Sequence, residues 1–239
     1  MNNLDTTVIE GLNHFSRLSW TFDTLVGYIA DCNLAKGGVL VAVFWWGWFK
    51  VNSNLARIRI HLISTLLGSF AAIALARLLA LQLPFRYRPL HEDGLDFLLP
   101  YGIAPHSGQG WSSFPSDHAV LFFALSTGMF YISKRVGLFA IVYTIVVIIL
   151  PRVYLGLHYP TDVIGGALIG IAITLLFNST LFTEKVSTRA YNLSITKPEI
   201  IYPILFIVTY QIADLFADSR SLIEFIFLTI RTIIHAHIS

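Results

Sequence analysis

Cysteine is almost missing from this chain: Cys32 stands alone among 239 residues. No internal disulfide and no thiolate metal cluster can form, and Cys32 is read as a small buried side chain. Charge is scarce as well, at 13% of residues against the roughly 25% of soluble domains, which excludes an ordinary soluble globular protein. Lysine- or arginine-rich runs are lacking and the formal net charge is only +2, which excludes nucleic acid as a partner. Internal repeats and low-complexity tracts are missing too. In their place stands apolar sequence, 55% hydrophobic with 18 Phe, 10 Tyr and 5 Trp, and a mean hydropathy of +0.69. That composition fits an all-α, polytopic membrane protein whose apolar side chains face lipid.

The apolar runs predict six transmembrane helices, at about 37–49, 58–83, 117–133, 137–157, 161–177 and 201–216. The first is short, and Trp45, Trp46 and Trp48 are expected at a headgroup belt that helps it match the bilayer. Residues 1–33 carry Asp5, Glu10, Arg17, Asp23 and Asp31 among apolar positions, such as Val8, Leu12, Phe15 and Leu18, that recur every three or four residues. They are expected to form amphipathic interfacial helices, with no cleaved secretory signal. The whole chain, 1–239, reads as one membrane domain: interfacial helices over 1–33, a six-helix core over 34–217 and an amphipathic tail over 218–239.

Orientation follows from the connectors, because Lys and Arg accumulate on the cytoplasmic side. With six spans, one side holds Lys50, Arg57, Arg59, Lys134, Arg135, Lys185, Arg189 and Lys197 with only Glu184 and Glu199, a net +6 against −4 for the remainder. That side is expected to be cytoplasmic. The polar segment 84–115 and the turn near 157–161 then face outward, toward a periplasm or the exterior.

Ionisable groups at the outward ends of apolar spans invite a functional reading, since an unpaired charge there is costly. They are Arg77, Arg86, Arg88, His118, Arg152, His158 and Asp162. His118 and His158 are 40 residues apart, about two spans of roughly 20, so they can meet at one depth. Asp162 follows His158 by four; a carboxylate bonded to one ring nitrogen fixes the tautomer and frees the other nitrogen to attack or to accept a proton. Arg86, Arg88 and Arg152 can converge on one anion, as guanidinium forks do on phosphate oxygens. Ser116 and Asp117 precede His118 at the start of a span, where free backbone N–H groups favour phosphate. A metal site from His118, His158 and Asp162 is disfavoured by the surrounding arginines, which repel a cation. His14, His61, His235 and His237 are read as interfacial residues, and Gly166 with Gly170 as a small-residue helix contact.

Phe114-Pro115-Ser116-Asp117-His118, and Arg152 with His158 and Asp162 after it, preceded by Arg88-Pro89, resemble the three signature motifs of the type 2 phosphatidic acid phosphatase superfamily. The family pattern is K-x6-R-P, P-S-G-H and S-R-x5-H-x3-D, and all three parts occur in order over residues 77–162. The resemblance implies a six-helix core and a metal-independent, cofactor-free, two-step phosphatase. It makes His158 the nucleophile that forms a phosphohistidine, Asp162 the residue that orients it, and His118 the group that protonates the leaving group and then activates water. Arg88, Arg152 and Ser116 would hold the phosphate oxygens. The chain departs from the pattern at three places. Leu81 stands at the lysine position, and Arg77 or Arg86 would supply the missing charge, Arg86 being favoured because it needs less burial. Asp117 replaces the motif glycine, as in the undecaprenyl-pyrophosphate phosphatase branch, and is expected to point away from phosphate and cap the following helix. Pro151 replaces the serine before Arg152 and is expected to kink its span.

These readings converge on a membrane lipid phosphatase with its site at the outer leaflet of a bacterial inner membrane, acting on an amphiphilic phosphate or pyrophosphate, foremost undecaprenyl pyrophosphate. Phosphatidic acid and phosphatidylglycerol phosphate are alternative substrates. The rival activities are phosphoryl transfer to another acceptor, transport, and an inactive membrane protein that keeps the motifs.

Overall fold

The computed structural model describes residues 2–51, 53–217 and 225, and among these the only regular structure is helical. The order is α1 (Asn3–Asn13), α2 (Trp20–Asp31), α3 (Leu34–Phe49), α4 (Leu55–Gln82), α5 (Asp117–Met129), α6 (Lys134–Tyr154), α7 (Pro160–Phe177), α8 (residues 180–196) and α9 (Pro198–Ala213). The tail expected at 218–239 lies outside the described residues, Phe225 excepted.

Helices α4, α6 and α7 are long and apolar enough to cross a membrane, and α2 with α3, bent by 64° at a short break, is long and apolar enough only when the pair is taken together. The expectation of six meets three to four by length and composition. Helix α9 is apolar but has 16 residues, and α5 has 13, about 20 Å at 1.5 Å per residue. Position accounts for the brevity of α5. Every residue from Ala119 to Met129 is buried, with α4 and α7 packed against it, so it needs no length to match a lipid layer. Gly166 and Gly170 of α7 permit that approach: a Cβ on Gly166 would lie 2.7 Å from the Ser116 carbonyl oxygen.

Residues 20–31, expected at the interface, form the first half of the bent pair. Trp20, Phe22, Leu25 and Tyr28 of α2 are exposed, an apolar outer face like that of the longer spans. The break falls at 32–33, and a π-type turn over Leu34–Gly38 then opens α3, where Lys36, Gly37 and Gly38 interrupt the apolar run. Backbone carbonyls freed by such a break need donors in an apolar setting. Arg152 Nη2 donates to Ala30 O at 2.7 Å and the Tyr143 hydroxyl to Ala35 O at 2.6 Å, while Asn33 Nδ2 donates to Asp214 Oδ1 at 2.6 Å. Cys32 lies in this break and is half-buried, not buried as expected.

Helix α6 carries Pro151 near its end, preceded by a widened π-type turn over Thr144–Ile149. A proline has no N–H to give and its ring collides with the carbonyl four residues back, so the wider turn relieves both faults. The connector expected at 178–199 is helical too: α8 runs beside α4, with the buried hydroxyls of Ser187 and Ser64 2.6 Å apart.

Candidate active site

Segment 84–116 folds over one end of the central helices; Leu90 N to Gly156 O at 3.1 Å and Ser116 N to Asp162 O at 3.2 Å tie it there, and Ser113 N to Arg86 O at 2.8 Å closes it on itself. Between this cover and the helices lies a cavity of about 400 Å³, whose lining includes Arg77, Arg88, Asp117, His118, Arg152 and His158. Six of the nine residues singled out from sequence therefore meet around one space. Ser116 is buried directly before α5, Asp162 is buried behind His158, and Arg86 does not line the cavity.

Each guanidinium on the cavity is held at one end and open at the other. Arg88 Nη1 donates to Leu157 O at 2.9 Å and Arg152 Nη2 to Ala30 O, yet Nε of both residues is buried without a hydrogen-bond partner, as is Ser116 Oγ. Buried polar atoms are nearly always satisfied, so three unsatisfied ones beside a cavity mark where an oxygen-rich anion fits. Gly108, at φ +70°, lies against Arg88; a Cβ there would come within 2.6 Å of the guanidinium carbon, so glycine is required.

His158 Nδ1 lies 2.9 Å from the carbonyl oxygen of Ser113, to which it must donate, leaving Nε2 with its lone pair. The nearest carboxylate oxygen, Asp162 Oδ2, is 4.0 Å away. The tautomer is thus set by a backbone carbonyl, where sequence reasoning placed Asp162. Burial, and then the Arg88 and Arg152 charges, hold His158 well below the usual histidine range, so its ring is neutral at neutral pH. Asp162 is filled by other donors: Ser113 Oγ at 2.5 Å, Tyr159 N at 2.9 Å and Arg86 Nη1.

The two arginines weighed for the missing lysine part company. Leu81, at the lysine position, is exposed on α4, and Arg77, one turn earlier, lines the cavity, paired with Asp117 and 4.6 Å over the Trp111 ring. Arg86 turns away from the cavity to Asp5 and Asp162. Asp117, expected to cap its helix, makes an ion pair with Arg77. Sequence reasoning missed Ser113, Trp111 and Asp5; of these only Ser113, among the serines before the second motif, carried any signal. Among the described residues no cluster of His, Cys, Asp and Glu has the makings of a metal site. His61, read as an interfacial residue, stacks on Tyr131 at 4.1 Å and lies 2.9 Å from Asn178 Oδ1.

A membrane-embedded helical bundle that closes arginines around two histidines defines a class of phosphate-handling proteins, and the chain belongs to one such family. The model of the PAP2 superfamily matches residues 60–185, more than half of the chain, so this protein is a member of that superfamily. It is 43% identical over 60 residues, 25% of this chain, to the bacitracin transport permease protein BcrC of Bacillus licheniformis, and spans 29% of that relative's length. It is 24% identical to the undecaprenyl-diphosphatase BcrC of Bacillus subtilis, covering 71% of this chain and 78% of that one. To YbjG of Escherichia coli, named provisionally as an undecaprenyl-diphosphatase, it is 26% identical over 72% of this chain and 79% of the other. No solved structure matches the chain.

Proposed function

We propose that this protein is an integral-membrane lipid phosphatase that hydrolyses undecaprenyl diphosphate to the monophosphate and inorganic phosphate. The observation that carries the reading is the set of buried, unsatisfied atoms, Arg88 Nε, Arg152 Nε and Ser116 Oγ, beside the free Nε2 of His158. Two relatives covering most of the chain are named for this activity, and the resemblance drawn from Asp117 in the second motif points to the same branch.

In this reading the terminal phosphate lies among Arg88, Arg152 and Ser116. His158 Nε2 attacks its phosphorus, the P–O bond to the lipid-bearing phosphate breaks, and His118 gives that oxygen a proton. His118 then takes a proton from water, whose oxygen displaces Nε2 and releases inorganic phosphate. The guanidiniums stabilise charge spreading over the equatorial oxygens in both steps. The chain crosses the membrane six times, α5 and α9 included, with the cavity opening to the outer face of a bacterial inner membrane.

The test is phosphate release by the purified chain in detergent, with chelator present, from undecaprenyl diphosphate and from phosphatidic acid, with His158→Ala as the blank. Chelator-resistant release that prefers the diphosphate and vanishes in the blank is expected. Preference for phosphatidic acid overturns the substrate, and full activity in the blank overturns the nucleophile. Appearance of the phosphoryl group on an added acceptor instead of water assigns a transferase.

A further inference from the structure

Behind the catalytic wall, on the side away from the cavity, an acid from α1 is fully buried. Asp5 Oδ2 accepts from Arg86 Nη2 at 2.6 Å and from the Thr161 hydroxyl at 2.7 Å, and Oδ1 accepts from Thr161 N at 3.0 Å. Arg86 also donates through Nη1 to Thr161 Oγ1 at 2.9 Å and to Asp162, and its guanidinium lies 4.2 Å over the Tyr159 ring. One guanidinium is thus shared by two buried carboxylates, one of which lies 4.0 Å from His158.

We propose that Asp5 is a positioning residue of the phosphatase site: it offsets the charge of Arg86, so that the Asp162 carboxylate keeps its full effect on His158. The proposal rests on reading His158 as the nucleophile. Attack through Nε2 leaves positive charge on the imidazole, and the groups facing that ring are Arg88 and Arg77 from α4 and the segment after it, Arg152 of α6, His118 of α5 and Asp162 of α7. Among them Asp162 is the counter-charge nearest the ring. The trio of Asp5, Arg86 and Asp162 sums to one negative charge. Without Asp5 the remaining pair is neutral, and the imidazolium-like transition state loses its counter-charge at a depth where charge is poorly screened. Asp5 does not line the cavity, and its charge reaches the ring by way of Arg86 and Asp162.

Asp5 also holds the first turn of α7, so loss of activity in one variant does not separate a charge role from a structural one. The experiment therefore compares Asp5→Asn with Asp5→Asn/Arg86→Gln in the full chain, using phosphate release from undecaprenyl diphosphate. Asp5→Asn is expected to lower kcat about tenfold or more with KM within about twofold. The double variant, which again carries one negative charge, is expected to recover at least about threefold in kcat although it has lost a second residue. A double variant no better than Asp5→Asn, a loss confined to KM, or no loss overturns the proposal. The His158 ring is also titrated by NMR, its signal identified by its disappearance in His158→Ala. It is expected to titrate at lower pH in Asp5→Asn and to return toward the wild-type position in the double variant, and an unmoved titration overturns the proposal whether or not the chain hydrolyses lipid. Activity surviving in His158→Ala overturns the nucleophile instead, and the titration alone then decides for or against Asp5.

Discussion

The two sides of His158 are built on opposite principles. On the cavity side, Arg88, Arg152 and Ser116 each leave a buried polar atom unsatisfied. On the far side, Asp162, Arg86, Asp5 and Thr161 satisfy one another several times over, and Ser113 gives Asp162 its hydroxyl proton. An unsatisfied buried donor costs roughly 1–3 kcal/mol, so the cavity side stores an appetite for an anion that the densely bonded far side holds in place. The contrast separates buried groups left with bonding capacity to spare from groups that bond one another behind them.

The largest effect should come from His158→Ala, which deletes the proposed nucleophile: turnover is expected to fall about a thousandfold or more. Phosphate-release assays that leave more than a few percent would erase the distinction between the two sides. Arg152→Lys comes next. It keeps the charge but loses the fork that holds Ala30 O at one end and leaves Nε open at the other, and kcat/KM is expected to fall about a hundredfold.

A sharper comparison sets Arg77→Ala against Arg86→Ala. Arg77 lines the cavity, and its loss should raise KM for the diphosphate about tenfold with little change in kcat. Arg86 lies behind Asp162, and its loss should act on kcat. Steady-state kinetics showing the same parameter moved by both would collapse the division.

The acid limb offers a smaller effect. Because the folded chain holds His158 below the ordinary histidine value of 6.5, the imidazole stays neutral as pH falls through that value, while the unfolded chain takes up a proton. The kcat/KM should therefore hold between about pH 7 and about pH 6, where an unshifted histidine loses much of its neutral form. Over the same interval the melting temperature should decline, since the unfolded state binds the extra proton. The smallest effect belongs to a site remote from both sides: Ser133→Ala removes the hydroxyl that caps α6 and should cost about 1 kcal/mol in stability, read by thermal denaturation, with kcat unchanged.

The cavity side was legible in the sequence, and the far side was not. His118 and His158 could be placed together because two crossings of known length bring a chain back to the same depth. Arg88 and Arg152 sit on the same geometry. Asp5 is 81 residues from Arg86 and 156 from Thr161, and no periodicity links them; its burial depends on how α1 docks against α6 and α7. The same holds for the bent pair of α2 and α3. A window over 37–49 finds the apolar half, but the pairing with residues 20–31 rests on Arg152, Tyr143 and Asn33, whose hydrogen bonds satisfy or brace the chain around the break. Arg86 was chosen over Arg77 on burial alone, and the carboxylates of Asp5 and Asp162 reversed that choice.

The bond between Asp5 and Thr161 also sets a schedule. The acid and its partner are 156 positions apart, and the greater part of the helical bundle lies between them in the chain. Loop closure over that span comes late in any order of folding. A chain in which α4 and α5 have packed together can therefore hold Arg77 and Arg88 beside His118 while Asp5 has yet to meet Thr161. The wall behind His158 is completed only when the first helix and the seventh find each other.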